Sequence, residues 1–428
     1  MRQYYYWYDK MPEPKELNRY TKPDVFFSTL LAKENDKIID KYSTIEKLDE
    51  ADTRSIRNKS YSYGFDFSLY NIGSNKVRYY ARVLYVVKDS PADEAGLKRG
   101  DWIAAVNDIP INQQNYENLY AGRATRFTLG VYVPEHYEGE EKEAEKIEPT
   151  ETIDVDGARA VVENPIQYSN IYQVGGKNIG YLVYTHFTSG TGQDDYTYDD
   201  ELSLLSNEFK ANNVSEFILD LRYNPGGNIP PAQLLCSMLV PEKELGKVMS
   251  YIEFNDKNTN QNTSEHLTRQ SLRGGSNLNL SRVFILTTSY TASASELLIN
   301  ALTPYMEVII IGSKTEGKNV GSTKFTDSEN KYPWAIHPIV CKIYNSEKES
   351  NYSQGFTPTH LFNEFSYYTP FLPFGDPDEL LLGIALRVIA GTYPPEKETT
   401  TSSVPVPVYS SLEKKAVPGV IMEVNQHR

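Results

Sequence analysis

The sequence predicts a multidomain α/β protein built around a mainly parallel sheet. Three observations predict it. The 428 residues, at roughly 150 per domain, suggest about three domains. Three stretches share an order of apolar strand then small-residue loop: Glu216–Arg222 before Tyr223–Asn228, Arg282–Thr288 before Ser289–Thr291, and Val308–Gly312 before a loop through Gly317-Lys318-Asn319. Helices around Ala232–Leu239 and from about Ala292 to Leu302 follow the first two. Finally, these strands are apolar on both faces, as a parallel sheet covered by helices requires. Ligands of such sheets bind where loops leave the carboxyl ends of strands, and all three loops do so.

Composition excludes several classes. Hydrophobic residues make up 39% and charged residues 23%, the balance of a chain that buries a sizeable core. The net charge of −14 argues against nucleic-acid binding, which needs clustered cations. Apolar runs such as Val308–Ile311 fall far short of the ~20 residues that span a bilayer. Two cysteines, Cys236 and Cys341, exclude a disulfide scaffold. Six histidines without HxxxH or HxH spacing argue against a zinc enzyme, so neither metal nor cofactor is expected. Both cysteines read as buried hydrophobes, and His186, His337 and His360 as structural.

Residues 1–58 read as a helical segment. Thr21-Lys22-Pro23-Asp24 starts a helix over Val25–Leu31, and Ile38, Ile39, Tyr42, Ile45 and Leu48 continue a helical spacing.

Residues 59–165 change to strand alternation, as at Val83, Tyr85 and Val87. The run SPADEAGLKRGDWIAAVNDIPI, residues 90–111, gives a short helix ending at Gly96, a turn at Gly100-Asp101 and a strand from Trp102. Asn107-Asp108 supplies the next turn, and the Glu/Lys run 138–151 reads as a solvated loop or hairpin tip. The run 90–111 resembles the central segment of a PDZ domain. The resemblance implies peptide capture along a sheet edge at the loop Gly64, Phe65, Asp66, Phe67, whose N–H groups would meet a peptide carboxylate. Asp66 departs from the usual glycine and sets a negative charge there, so Asp66→Gly is expected to tighten binding of free C-termini.

Residues 166–390 carry the chemistry. Gly226-Gly227 lies between a strand and a helix, where backbone N–H groups suit an oxyanion. Thr291-Ala292-Ser293-Ala294-Ser295-Glu296 opens a helix with small residues, and by itself reads as a capping box of Ser293 and Glu296.

Together the motifs Asp220–Gly227, Thr291–Glu296 and Gly312/Thr315/Gly317/Lys318, behind a PDZ-like domain, resemble the C-terminal processing peptidases, or tail-specific proteases. The N-terminal WYDKMP segment resembles forms of that family in certain Gram-negative bacteria. The resemblance implies a ClpP/crotonase-like α/β peptidase core and a serine endopeptidase acting on unfolded or C-terminal protein segments. It implies Ser293 as nucleophile and Lys318, 25 residues on, as general base, with Ser295 and Lys314 as decoys. The oxyanion would meet the N–H of Ala294 and that of Gly226 or Gly227. A lysine base must be neutral, so its pKa must fall from ~10.4 toward roughly 7–8 by burial. Ser322 stands where many relatives carry a lysine-orienting glutamine.

The resemblance also implies protein or peptide substrates and a place in the cell envelope or periplasm, reached through a signal or lipoprotein segment that could anchor the chain to a membrane. Two other readings stay open: a catalytically weak or inactive PDZ scaffold, and an acyl-transfer or hydratase enzyme on a crotonase-like core. Residues 391–428 read as a tail, with a polar linker at 394–403, an extended Val/Pro run at 404–408 and an edge strand within 417–424.

Overall fold

The computed structural model describes residues 1–35, 37–48, 59–73, 77–138, 141–192, 194–327, 329, 331–366, 370–393 and 406–415. The polar linker and the strand expected within 417–424 lie outside them.

The core sheet orders its strands Ile166–Val174, Lys177–Tyr184, Val214–Asp220, Arg282–Thr287, Glu307–Gly312 and His360–Leu361. The first pair is antiparallel and every later pair parallel, as double burial requires. Neighbouring residues on a strand point to opposite faces. Leu219 and Ile285 therefore join the helices Ile229–Leu239 and Ala294–Leu302 on one side. Ile218 and Phe284 join the helix Leu380–Ala390 on the other. Pro230 and Pro231 sit in the first turn of Ile229–Leu239, where a missing N–H costs nothing.

The PDZ-like domain orders its strands Lys146–Val155, Thr125–Val133, Trp102–Val106, Tyr80–Val86, Phe65–Tyr70 and, at the rim, Tyr409–Ser410. Phe67, Val83, Ile103 and Phe127 are fully buried at its centre. The expected short helix is Pro91–Glu94, and Asn107 and Asp108 turn with φ of 50° and 62°. His136–Glu138 and Glu141–Glu143 pair as a hairpin in the acidic run. Within the described part of the tail, Tyr409–Ser410 docks as an edge strand.

A buried ion network joins this domain to the core. The Arg222 guanidinium donates to Asp220 (2.8 Å), Glu364 (2.9 Å) and Glu379 (2.6 Å). Arg99 of the PDZ-like domain reaches the same Glu364 and Glu379 at 3.3 and 3.4 Å and bonds the Tyr223 hydroxyl at 2.7 Å. Asp220 and Arg222, at the end of the strand that leads into the glycine loop, are thus part of a domain junction.

The N-terminal segment corrects the helical reading. Pro23–Leu30 is a helix, but Lys37–Ile38 and Thr44–Lys47 are strands. The Asp40 carboxylate accepts the N–H groups of Tyr42 (3.0 Å) and Ser43 (2.9 Å), a local turn that competes with helix. Thr44–Lys47 then pairs with Trp334–His337 of the core, and tertiary pairing overrides the apolar spacing. Among the described residues no helix is long and apolar enough to cross a membrane.

Candidate active site

Ser293 sits on the turn before the helix Ala294–Leu302, with φ 59° and ψ −110°. Such a backbone costs a non-glycine residue on the order of 1–3 kcal/mol and persists only where neighbours enforce it. The enforcing neighbour is Gly226. A Cβ there would stand 2.7 Å from Ser293 Cβ and 2.9 Å from the Ala294 nitrogen, so only glycine lets the two loops touch.

Glu296, one turn along the helix, is wholly buried. Its Oε2 accepts the Ser293 N–H at 3.0 Å and the Lys318 N–H at 2.7 Å. Its Oε1 accepts the Thr315 hydroxyl at 2.6 Å and the Gly317 N–H at 2.7 Å. One carboxylate therefore fixes the serine turn and the lysine loop together. Burial raises its pKa, against the bonds from Thr315, Ser293, Gly317 and Lys318, which lower it. The capping box expected from the sequence is only half of this arrangement. The other half comes from the Thr315–Lys318 loop.

Lys318 is 3% exposed. Burial pushes its ammonium down to about 8, while Asp40, Glu296 and Glu316 pull the other way. Its Nζ lies 5.3 Å from the centre of the Tyr42 ring. Asp40 and Tyr42 come from the N-terminal segment, and no motif announced them. That segment is seated by the Tyr5 hydroxyl, which donates to Asp40 at 2.6 Å, and by the Tyr6 N–H, which donates to the Ile339 carbonyl at 2.8 Å. Ser322 is buried in the strand Val320–Ser322, paired with Ile339. The charges acting on the lysine come from Asp40, Glu296 and Glu316.

The glycine loop separates its two candidates. The Gly226 N–H donates to the Asn224 side chain at 2.9 Å, and Asn224 is itself anchored on the Tyr184 carbonyl at 2.9 Å. Gly226 therefore shapes the loop and has committed its donor. Gly227 bridges to Phe187 through its neighbours: the Phe187 N–H meets the Gly226 carbonyl, and the Asn228 N–H meets the Phe187 carbonyl, both at 2.8 Å. Those bonds use the groups flanking Gly227 and not its own N–H. The Ala294 N–H lies at the first helical position, where the helix itself supplies no acceptor.

The other residues fall elsewhere. The Ser295 hydroxyl donates to the Asn224 carbonyl at 3.1 Å, and Lys314 is exposed. His186 is surrounded by Glu163 and Lys415, His337 bonds Glu46 at 3.0 Å, and the His360 ring meets Tyr393. Cys236 and Cys341 are buried, and burial raises both thiols out of the reactive range. Gly64, Phe65 and Phe67 line the PDZ-like core, while Asp66 is buried against Ser411.

The model of Peptidase family S41 matches residues 178–361, the PDZ domain model residues 82–121, and the Peptidase S41 N-terminal domain model residues 1–44. The solved structure of a putative S41 protease from Bacteroides fragilis is 36% identical, with a TM-score of 0.80 over 91% of this chain and 96% of that one. The carboxy-terminal processing protease CtpA of Bacillus subtilis is 25% identical over 346 residues, 79% of this chain and 64% of that protein. A probable CtpA-like serine protease of Staphylococcus epidermidis is 26% identical over 245 residues, 56% of this chain. The match spans 43% of that relative's length.

Proposed function

The chain belongs to peptidase family S41, and on that premise we propose that it is a serine endopeptidase cleaving unfolded or C-terminal protein segments with Ser293 and Lys318. The observation that carries this reading is Glu296, whose single buried oxygen holds the serine turn and the lysine loop. Neutral Lys318 accepts the Ser293 proton as Oγ attacks the scissile carbonyl carbon. The N–H groups of Gly227 and Ala294 receive the oxyanion, and Gly226 holds the loop that aims them. Lys318 then returns the proton to the leaving amine, which departs and leaves an acyl-serine. Water gives a proton to Lys318 as its oxygen attacks the ester carbonyl, and Lys318 passes that proton to the departing Ser293 Oγ, which releases the acid and restores both groups.

A lysine near pKa 8 is a usable base at neutral pH: about a tenth of it is neutral at pH 7. A scaffold without catalysis offers no reason to bury a lysine so. The Asp40 charge and the Tyr42 ring, 5.3 Å from Nζ, act on the lysine from the N-terminal segment. In a peptide-cleavage assay Ser293→Ala is expected to lose at least ~10³-fold in kcat, and Ser295→Ala less than tenfold. Equal losses from both would overturn the assignment of the nucleophile.

Asp40 raises the Lys318 pKa by its charge. Asp40→Asn keeps the turn acceptor and removes that charge, so the midpoint of the pH–rate profile is expected to move below 8. An unmoved midpoint in a folded variant would show that Asp40 only shapes the segment. The proposed place of action is the cell envelope. Fractionation of cells making the full reading frame tests this, and recovery in the cytosol would contradict it.

A further inference from the structure

The strand Phe65–Tyr70 is the rim at which an added peptide strand would dock, and it already carries one. Tyr409–Ser410 runs antiparallel to it, Tyr409 opposite Leu69 and Ser410 opposite Ser68. The Val408 N–H donates to the Leu69 carbonyl at 2.8 Å and the Ser411 N–H to the Phe67 carbonyl at 2.9 Å. The Tyr409 ring stands 5.1 Å from that of Tyr116, and its hydroxyl bonds that of Tyr120. This is strand addition with a seated side chain, supplied by the chain itself.

The loop end of the rim is built for a cation. The Ser411 hydroxyl donates to Asp66 at 2.6 Å and accepts the Phe67 N–H at 2.9 Å. The Lys415 ammonium lies 2.5 Å from Asp66 and 2.8 Å from Glu163, and donates to the Tyr85 hydroxyl at 2.8 Å. Asp66 is 4% exposed, so its charge is little screened. A peptide carboxylate here would face Asp66 and Glu163. The chain does not end at the loop either, but turns into the short helix Leu412–Lys415.

We propose that this rim is a self-occupied binding site for internal peptide segments that present an aromatic residue, a hydroxyl and then a lysine, and that such a peptide gains the rim by displacing residues 408–415. As a statement about substrates it rests on the peptidase reading; as a statement about binding it does not. It reverses the expectation for Asp66: the carboxylate is the recognition group, and removing it weakens the ligand. A tethered ligand acts at a high effective concentration, so a free peptide meets a site already largely filled.

The test uses the full chain carrying Ser293→Ala, so that hydrolysis plays no part, and a fluorescent, C-terminally amidated peptide of residues 406–415. Fluorescence anisotropy should show the peptide binding at least tenfold tighter once Tyr409→Ala and Lys415→Ala weaken the tail. Adding Asp66→Asn should cost that gain, and the free-acid peptide should bind within twofold of the amide. Because the tail substitutions could disturb the domain, a second variant leaves those contacts intact. The Ser68 and Ser410 hydroxyls are 3.2 Å apart, so Ser68→Cys with Ser410→Cys can lock the tail in place. The oxidised chain should bind no peptide, and reduction should restore the binding of the unlocked chain. Equal binding before and after reduction, no tightening when the tail is weakened, or a tenfold preference for the free acid would overturn the proposal. Cleavage by the chain with Ser293 intact is scored separately: its absence sinks only the peptidase reading, and failed binding beside intact cleavage sinks only this inference.

Discussion

Lys318→Met is expected to give a protein that is inactive and more stable. The folded state holds this ammonium near pKa 8 against 10.5 for a free lysine. Between those values the unfolded chain binds more protons than the folded one, so stability rises with pH across the window. Below about pH 8 the folded protein carries the full cost of a buried charge, about 3 kcal/mol from a shift of that size. Methionine fills similar space without charge, so the variant should gain up to that amount at pH 7. The gain should fall to a few tenths of a kcal/mol, about RT ln 2, at pH 10.5, where the folded lysine is neutral and about half of the unfolded lysine is. Urea denaturation at the two pH values checks this. Cleavage should fall at least ~10³-fold, because no base remains to take the serine proton. Lys318→Arg should be as inactive, since a guanidinium does not give up its proton in a protein.

Arg222→Met is expected to be the most destabilising of the substitutions considered, by about 3–5 kcal/mol. It takes away the cation paired with Asp220 and leaves Glu364 and Glu379, still buried, to Arg99. Burial alone would raise the Glu379 carboxyl, but Arg222 and Arg99 more than offset that and hold it at about 2. A depressed carboxylate contributes stability that is fully present above the unfolded value of 4.5 and is lost as pH falls toward 2. The wild-type protein should therefore weaken across that window, and Arg222→Met should show a smaller acid-dependent loss from a lower starting stability. Thermal unfolding at pH 7, 4 and 2.5 distinguishes the two. Because Arg99 and Arg222 share two carboxylates, the same substitution should loosen the PDZ domain from the core, and limited proteolysis at the junction should report it.

What the sequence made legible was what short-range physics dictates. Strands 216–222 and 282–288 were readable because double burial leaves an apolar run. The serine turn and glycine loop were readable because close approach demands small residues at fixed positions. The groups around the lysine were not. Asp40 and Tyr42 come near Lys318 through long-range contacts, the pairing of Thr44–Lys47 with Trp334–His337 and the bonds of Tyr5 and Tyr6 among them, and such contacts have no local signature. Glu296 was visible as a helix cap, but its bonds to Thr315, Gly317 and Lys318 appear only when the next strand has folded beside it. The same limit hid the Arg99–Arg222 network, whose members are spread over two domains. The Tyr409–Ser410 strand is two residues long, below the length at which alternation can be seen.

The mechanism requires that Ser293 be activated by a lysine whose pKa burial brings down to about 8. Labelling with a fluorophosphonate probe tests it most directly, because the probe reacts with an activated serine without any choice of substrate. Mass spectrometry of the labelled protein should place the adduct on Ser293. The labelling rate should rise with a midpoint near pH 8, where Lys318 loses its proton. In folded Lys318→Met the adduct should be absent. An adduct on another serine, or labelling of Ser293 that is as fast in Lys318→Met as in the wild type, would contradict the account.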